Sequence, residues 1–275
     1  MTIENTLDDN GPAIVLLHGY PFDRSMWREQ IDFLSARGYR VIAPDLRGLG
    51  DTVAQTSVCE PSTPNHRLKS VPPTISTMAD MARDVATSLD ELKIDQAVIC
   101  GLSMGGYVAF EFLHLFPQRV GGLVLAGTRA PADNAQEKQA REEQAQRILA
   151  EGMTGIAEAT LPKLLAPRTL TEKPDVARRV REMISRAKPQ GAAAAQRGMA
   201  ARRDYSDDLS RIRVPTLVIV GRDDPIRPVS DAEFMHDRIQ GSQLEVIENA
   251  AHMTNLEQPE IFNRALQRLI MESQL

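Results

Sequence analysis

Residues 98–112 read VICGLSMGGYVAFEF. The first half completes the run AVICGL (97–102), a continuous apolar stretch without period-2 alternation, as expected of a strand buried on both faces. From Met104 the apolar side chains continue to Phe116, just before Pro117, which predicts a helix over 104–116. At the junction stands Gly101-Leu102-Ser103-Met104-Gly105, a G-x-S-x-G pattern. A serine forced into so sharp a strand-to-helix turn stands clear of its neighbours. Side chains at positions 101 and 105 would collide with the adjacent strand or helix, hence the glycines. The free N–H groups of the new helix point at the serine and favour negative charge there. Five-residue patterns arise by chance, so the strand before and the helix after carry this reading against that of a Gly-rich turn with an incidental serine.

Outward from this junction, short apolar runs alternate with amphipathic stretches. Strands are predicted at 13–17 (AIVLL), 40–43 (RVIA), 122–126 (GLVLA), 216–220 (TLVIV) and 244–247 (LEVI). Helices are predicted at 27–37, stopped by Gly38, at 78–92, started by a Thr77/Asp80 capping box, and at 261–271. Such alternation predicts an α/β fold with a mostly parallel, doubly wound sheet. Two segments break the rhythm. Residues 52–74 are rich in Pro, Ser and Thr and read as an extended rim loop. Residues 131–208 are rich in Ala, Gln, Glu and Arg, with sparse apolar residues at helical spacing, and read as a helical cap inserted into a core formed by 1–130 and 209–275. An insertion at that edge of a parallel sheet sits over the crevice where ligands bind. Leu161, Leu164 and Met183 are therefore candidate substrate contacts, and Met153, Met183 and Met199 supply flexible apolar surface suited to an acyl chain.

Other candidate residues follow predicted strands. After the first comes His18-Gly19-Tyr20-Pro21; the Tyr20 N–H, with that of Met104, would make a two-donor oxyanion hole, each donor worth about 10²–10³-fold in rate. His18 itself reads as a hydrogen-bonded loop holder. After TLVIV comes Gly221-Arg222-Asp223-Asp224-Pro225-Ile226-Arg227-Pro228, where either aspartate could orient a histidine. His252 follows the last strand, in Asn249-Ala250-Ala251-His252-Met253. His236 falls in a charged helical pattern and reads as a surface residue; His66 and His114 have no chemical partner visible in sequence. Arg129, ahead of the insertion, is either a hinge arginine or a ligand for a substrate carboxylate.

The 275 residues carry a net charge of −5, which gives no basic footprint for nucleic acid. Apolar runs fall well short of the ~18 residues of a membrane span, and no secretory signal is visible at the N-terminus. A buried, reduced thiol is the expected state of Cys100, although it could in principle bridge to Cys59. The expected location is the cytoplasm, with no membrane or nucleic-acid partner; a homodimer is kept open as the assembly. No metal-ligand cluster is visible and no cofactor is expected.

The segments LLHGYPFDRSMW (16–27), GYRVIAPDLRGLG (38–50), VICGLSMGGYVAFEF (98–112), GLVLAGT (122–128), VPTLVIVGRDDPIRP (214–228) and NAAHMTNLEQPEIFN (249–263) together resemble the α/β-hydrolase family nearly end to end. Within it the chain is similar to small bacterial esterases, lactonases and cofactor-free haloperoxidases or perhydrolases, 3-oxoadipate enol-lactonases among them. The resemblance implies Ser103 as nucleophile, Asp224 and His252 as its relay, and Tyr20 and Met104 as oxyanion donors. The choice of Asp224 over Asp223 follows the family spacing to Pro228, and the order Ser, Asp, His is the family's. Asp45 and Arg47 match its D-x-R-G-x-G turn, a structural element there. The implied activity is hydrolysis of a small carboxylic ester or lactone through an acyl-enzyme, without cofactor. A serine at the elbow argues against dehalogenases and epoxide hydrolases, which are expected to place an aspartate there. C–C bond hydrolysis or perhydrolysis with the same triad remain alternatives, as does a non-catalytic ligand-binding relative, although such a protein would usually lose a triad member. The sequence departs from the family at Ala251, where a glycine is frequent, and in the length of the 52–74 loop.

Overall fold

The computed structural model describes residues 3–5, 11–51 and 74–273. Its apolar runs assemble into one seven-stranded sheet: β1 (Ile3–Asn5), β2 (Ala13–Leu17), β3 (Arg40–Pro44), β4 (Ala97–Leu102), β5 (Val120–Ala126), β6 (Thr216–Gly221) and β7 (Gln243–Ile247). The spatial order is β1-β3-β2-β4-β5-β6-β7, and all neighbours are parallel except β1, which runs antiparallel on the edge of β3. Leu17 lies opposite Gly101, Leu102 opposite Ala126, Ala126 opposite Ile219, and Gly221 opposite Ile247. The carboxyl ends of five strands are thus level, and the loops that leave them share one edge, where an open parallel sheet binds its ligands.

Both faces are covered, which explains why the strands lack polar alternation. Ile14, Leu16, Val98 and Cys100 face one cluster with α1 (Arg28–Ser35) and α11 (Pro259–Glu272). Val15, Leu17, Ala97 and Ile99 face the other, with α2 (Met78–Glu91), α3 (Met104–Leu115) and α9 (Val229–His236). The Thr77/Asp80 capping box that starts α2 is formed in both directions. The helix expected at 27–37 divides into a 3-10 turn, Arg24–Trp27, capped by Asp23, and the shorter α1. Cys100 is a free, buried thiol, and burial pushes its pKa up. Cys59, His66 and nearly all of the 52–74 segment lie outside the described residues.

Between β5 and β6 lie α4 (Ala135–Glu151), α5 (Thr154–Leu164), α6 (Pro167–Glu172), α7 (Pro174–Arg186), α8 (Pro189–Ala200) and a 3-10 turn, Ser206–Arg211. Pro167, Pro174 and Pro189 each open a helix, at a position whose N–H would have no intrahelical partner. Ile148, Leu161, Leu164, Met183 and Ile184 join the apolar cluster that holds Trp27, Met253 and Leu256, so the inserted helices bury their faces against the main body. Among the described residues no helix is long and apolar enough to cross a membrane.

The start of the insertion is fastened by one carboxylate. Asp133, 4% exposed, receives Arg129 at 2.7 Å, Arg202 at 2.8 Å and Arg141. Burial opposes its charge, but hydrogen bonding and attraction from Arg141 and Arg202 outweigh this and hold its carboxyl down at about 2. Because the folded pKa is depressed, the stabilisation is complete above the ordinary aspartate range and disappears as pH falls towards that value. Asp133→Asn is expected to cost roughly 3 kcal/mol at neutral pH by stranding the guanidiniums. The difference from wild type should shrink as the pH is lowered, read from urea unfolding curves across acid pH.

Candidate active site

The strand-to-helix turn at residue 103 is formed as its sequence predicts. Ser103 takes φ 56° and ψ −113°, a conformation that side chains rarely adopt. Ser103 N–H donates to the Ala126 carbonyl at 2.8 Å, and its own carbonyl accepts from the Gly106 N–H at 3.0 Å and the Thr128 hydroxyl at 2.9 Å. The turn closes only because the flanking residues lack side chains. A Cβ at Gly101 would lie 2.2 Å from the Gly105 carbonyl oxygen, and one at Gly105 would lie 2.0 Å from that of Leu17.

The β6 loop brings Asp224 to the same edge. Its Oδ1 accepts from the N–H groups of Ile226 at 2.8 Å and Arg227 at 2.9 Å, and its Oδ2 lies 2.7 Å from His252 Nδ1. Asp224 and His252 are 5% and 3% exposed, whereas Asp223 is exposed and points no group at the histidine. The His252 ring passes close to Gly127, where a Cβ would sit 3.4 Å from its Cε1 and Nδ1. Ser103 and His252 therefore both lie at the end of β5, one bonded to Ala126 and the other beside Gly127. The Ser103 hydroxyl makes no hydrogen bond among the described residues.

The loop after β2 lies against the same turn, with Gly19 in contact with Leu102. Within the described residues, no acceptor takes the N–H of Tyr20 or of Met104, the first residue of α3. His18 is fully buried. Its Nε2 accepts from the Leu46 N–H at 2.8 Å, which leaves Nδ1 to donate to the Gly19 carbonyl at 2.9 Å. Burial lowers its pKa, so it stands as a neutral brace for the loop. Asp45 ties the D-x-R-G-x-G turn by accepting the Arg24 and Asp51 N–H groups.

Other candidates are placed differently. Leu161, Leu164 and Met183 are buried in the cluster between the inserted helices and the main body. The Arg129 guanidinium is engaged through Nη2 by Asp133 at 2.7 Å and Glu137 at 2.8 Å, and its buried Nε has no hydrogen-bond partner. His236 is half-buried rather than exposed, with Nδ1 bonded to the Ser242 hydroxyl. His114 lies beside the Arg203 guanidinium, far along α3. A charged cleft of about 590 Å³, with Asp23, Arg24, Arg186 and Lys188 in its walls, is lined by none of the residues placed around Ser103.

Residues of no visible pattern also surround the site. Tyr107, one turn after Ser103, accepts from Arg227 at 2.6 Å, and the Arg202 guanidinium lies 4.1 Å from its ring centre. Burial raises its pKa, but the attraction of Arg227, Arg202 and Arg141 outweighs burial and lowers it below the ordinary tyrosine value. Glu257 is buried behind His252.

A strained serine at a strand–helix elbow, followed in chain order by a buried aspartate–histidine pair on the same sheet edge, is an arrangement characteristic of α/β hydrolases. The model of the alpha/beta hydrolase fold family matches residues 12–259, and the chain belongs to that family. Its relatives include 3-oxoadipate enol-lactonase 2 of Acinetobacter baylyi, 31% identical over 94% of this chain and 88% of the relative. Among solved structures it is similar to a thermophilic esterase from Thermogutta terrifontis, with a TM-score of 0.89, 37% identity and coverage of 100% of this chain and 94% of that one. The enol-lactonase from Burkholderia xenovorans LB400 superposes with a TM-score of 0.84 at 26% identity, covering 98% and 95% of the two chains.

Proposed function

We propose that this protein hydrolyses carboxylic esters or lactones through an acyl-enzyme on Ser103. The observation that supports the reading is the buried 2.7 Å Asp224–His252 pair, whose ring lies beside Gly127 at the same end of β5 where the strained Ser103 is bonded to Ala126. His252 takes the Ser103 proton, and Ser103 attacks the carbonyl carbon. The N–H groups of Tyr20 and Met104 hold the oxyanion, and their lack of other acceptors supports that role. His252 returns the proton to the leaving alcohol, and water, activated by the same imidazole, clears the acyl group. Asp224 accepts from His252 Nδ1 and so leaves Nε2 free as the base. No step calls for a cofactor.

In this reading residues 131–208 are the cap, and its buried Leu161, Leu164 and Met183 shape the acyl site. Arg129, whose Nη2 is held by Asp133 and Glu137, would have only its other N–H groups to offer a substrate carboxylate. The esterase and enol-lactonase likenesses support the ester and lactone classes over other chemistry of this fold.

The test joins labelling to turnover. A fluorophosphonate is expected to add its mass to Ser103 alone, located by peptide mass spectrometry, and the protein should turn over members of a panel of acyl esters and γ-lactones. A folded protein that neither labels nor hydrolyses any of them would refute the reading.

A further inference from the structure

The loop that carries His252 is held by the inserted helices as well as by the sheet. The carbonyl of Leu164, the last residue of α5, accepts from the His252 and Met253 N–H groups, both at 3.1 Å. Glu257, 0% exposed, makes a second link. Its Oε1 accepts from the Ala251 N–H at 2.8 Å, immediately before the histidine. Its Oε2 accepts from the Ala166 N–H and the Thr169 hydroxyl, each at 2.7 Å, at the start of α6. Lys173, just past α6, donates to the Glu257 carbonyl at 2.5 Å. One carboxylate thus joins the residue before the histidine to the corner between α5 and α6.

Burying a carboxylate is costly, and burial with the nearby Asp224 charge pushes its pKa above the ordinary glutamate range against the pull of these donors. An apolar side chain would fill the space without that cost but could not satisfy three inward-facing donors belonging to two separate segments. We infer that Glu257 is a positioning residue, which sets His252 against Ser103 by tying its loop to the α5–α6 corner. The inserted helices then supply no reacting group yet hold the base in register, and a displacement of that corner reaches the imidazole directly. This inference rests on the proposed role of His252 in ester hydrolysis.

Glu257→Gln tests it selectively. A glutamine amide accepts through one oxygen, which the paired donors Ala166 N–H and Thr169 O–H would claim. Its NH₂ then faces the Ala251 N–H, donor against donor, so the strain falls on the histidine side while the α6 contact is kept. Misplacement of a base by a fraction of an ångström is expected to lower kcat roughly 10- to 100-fold with KM little changed. The rate of fluorophosphonate labelling at Ser103 should fall in parallel. The downfield proton resonance of His252 Nδ1 should shift or vanish in the NMR spectrum while circular dichroism shows a folded chain. Thr169→Val removes one donor, leaves the carboxylate in place and should give a smaller loss in the same direction. It decides the matter if Glu257→Gln does not fold. Unchanged kcat, labelling rate and Nδ1 resonance in the folded variant would overturn the inference. The resonance also separates this inference from the proposed function: if the wild type hydrolyses nothing and yet the resonance moves, positioning stands and the ester reading falls.

Discussion

Ser103→Ala is expected to abolish ester and lactone turnover, with a loss of about 10⁴-fold or more in kcat. In the proposed mechanism the nucleophile is irreplaceable, because water in its place lacks both the orientation and the proton relay to His252. The fold should survive almost untouched. The side chain of Ser103 forms no helix-capping hydrogen bond, so its hydroxyl contributes little to stability. Alanine keeps the Cβ, and with it the strain of φ 56°, so unfolding curves of the two proteins should nearly coincide. Ser103→Gly makes the complementary point. It too is inactive, but relieving a left-handed backbone worth roughly 1–3 kcal/mol should raise its stability. Residual turnover near the wild-type rate in pure Ser103→Ala protein would remove the acyl-enzyme from consideration.

Asp224→Asn is expected to lower kcat by about 10⁴-fold, and Asp223→Asn to leave it within a few-fold. The geometry says why an isosteric amide fails. Oδ1 is held by two backbone donors, Ile226 N–H and Arg227 N–H, so the asparagine must place its oxygen there. Its NH₂ then points at His252 Nδ1, which must accept. The proton moves to Nε2, and the base that should receive the Ser103 proton becomes a donor. Asp223 is exposed, and its place in the loop depends on its N–H bond to the Ala250 carbonyl at 3.0 Å, which asparagine retains. The comparison is made by steady-state kinetics on one good ester. The opposite ranking would assign the relay to Asp223.

In the proposed mechanism the inserted helices also position the base. The Leu164 carbonyl and the Glu257 carboxylate both hold the histidine loop, so substitutions at the α5–α6 corner should affect kcat as well as substrate preference. Arg227, whose N–H also bonds Asp224, donates to the buried Tyr107 hydroxyl, and the Arg202 guanidinium lies over the Tyr107 ring.

The sequence alone determined strands β2 to β7, the elbow and the chain order of the serine, aspartate and histidine. These are local or periodic properties. A strand buried on both faces must be an unbroken apolar run, and an elbow squeezed between Gly105 and the Leu17 carbonyl admits only glycine at its flanks. The insertion was legible as helical by composition, since helix formers without β-branched runs leave few alternatives. The short antiparallel β1 has no sequence signature, since three edge residues carry no periodic signal, and the helix expected over 27–37 begins only at Arg28 because Asp23 caps a 3-10 turn before it. Only the tertiary structure decided the partners. Nothing in the spacing around Glu257 points to its three donors, which come from positions 166, 169 and 251. Asp133 gathers arginines from 129, 141 and 202 in the same way. Whether a buried charge is matched depends on which distant groups the packed chain brings within hydrogen-bond reach, and no spacing along the sequence encodes that distance.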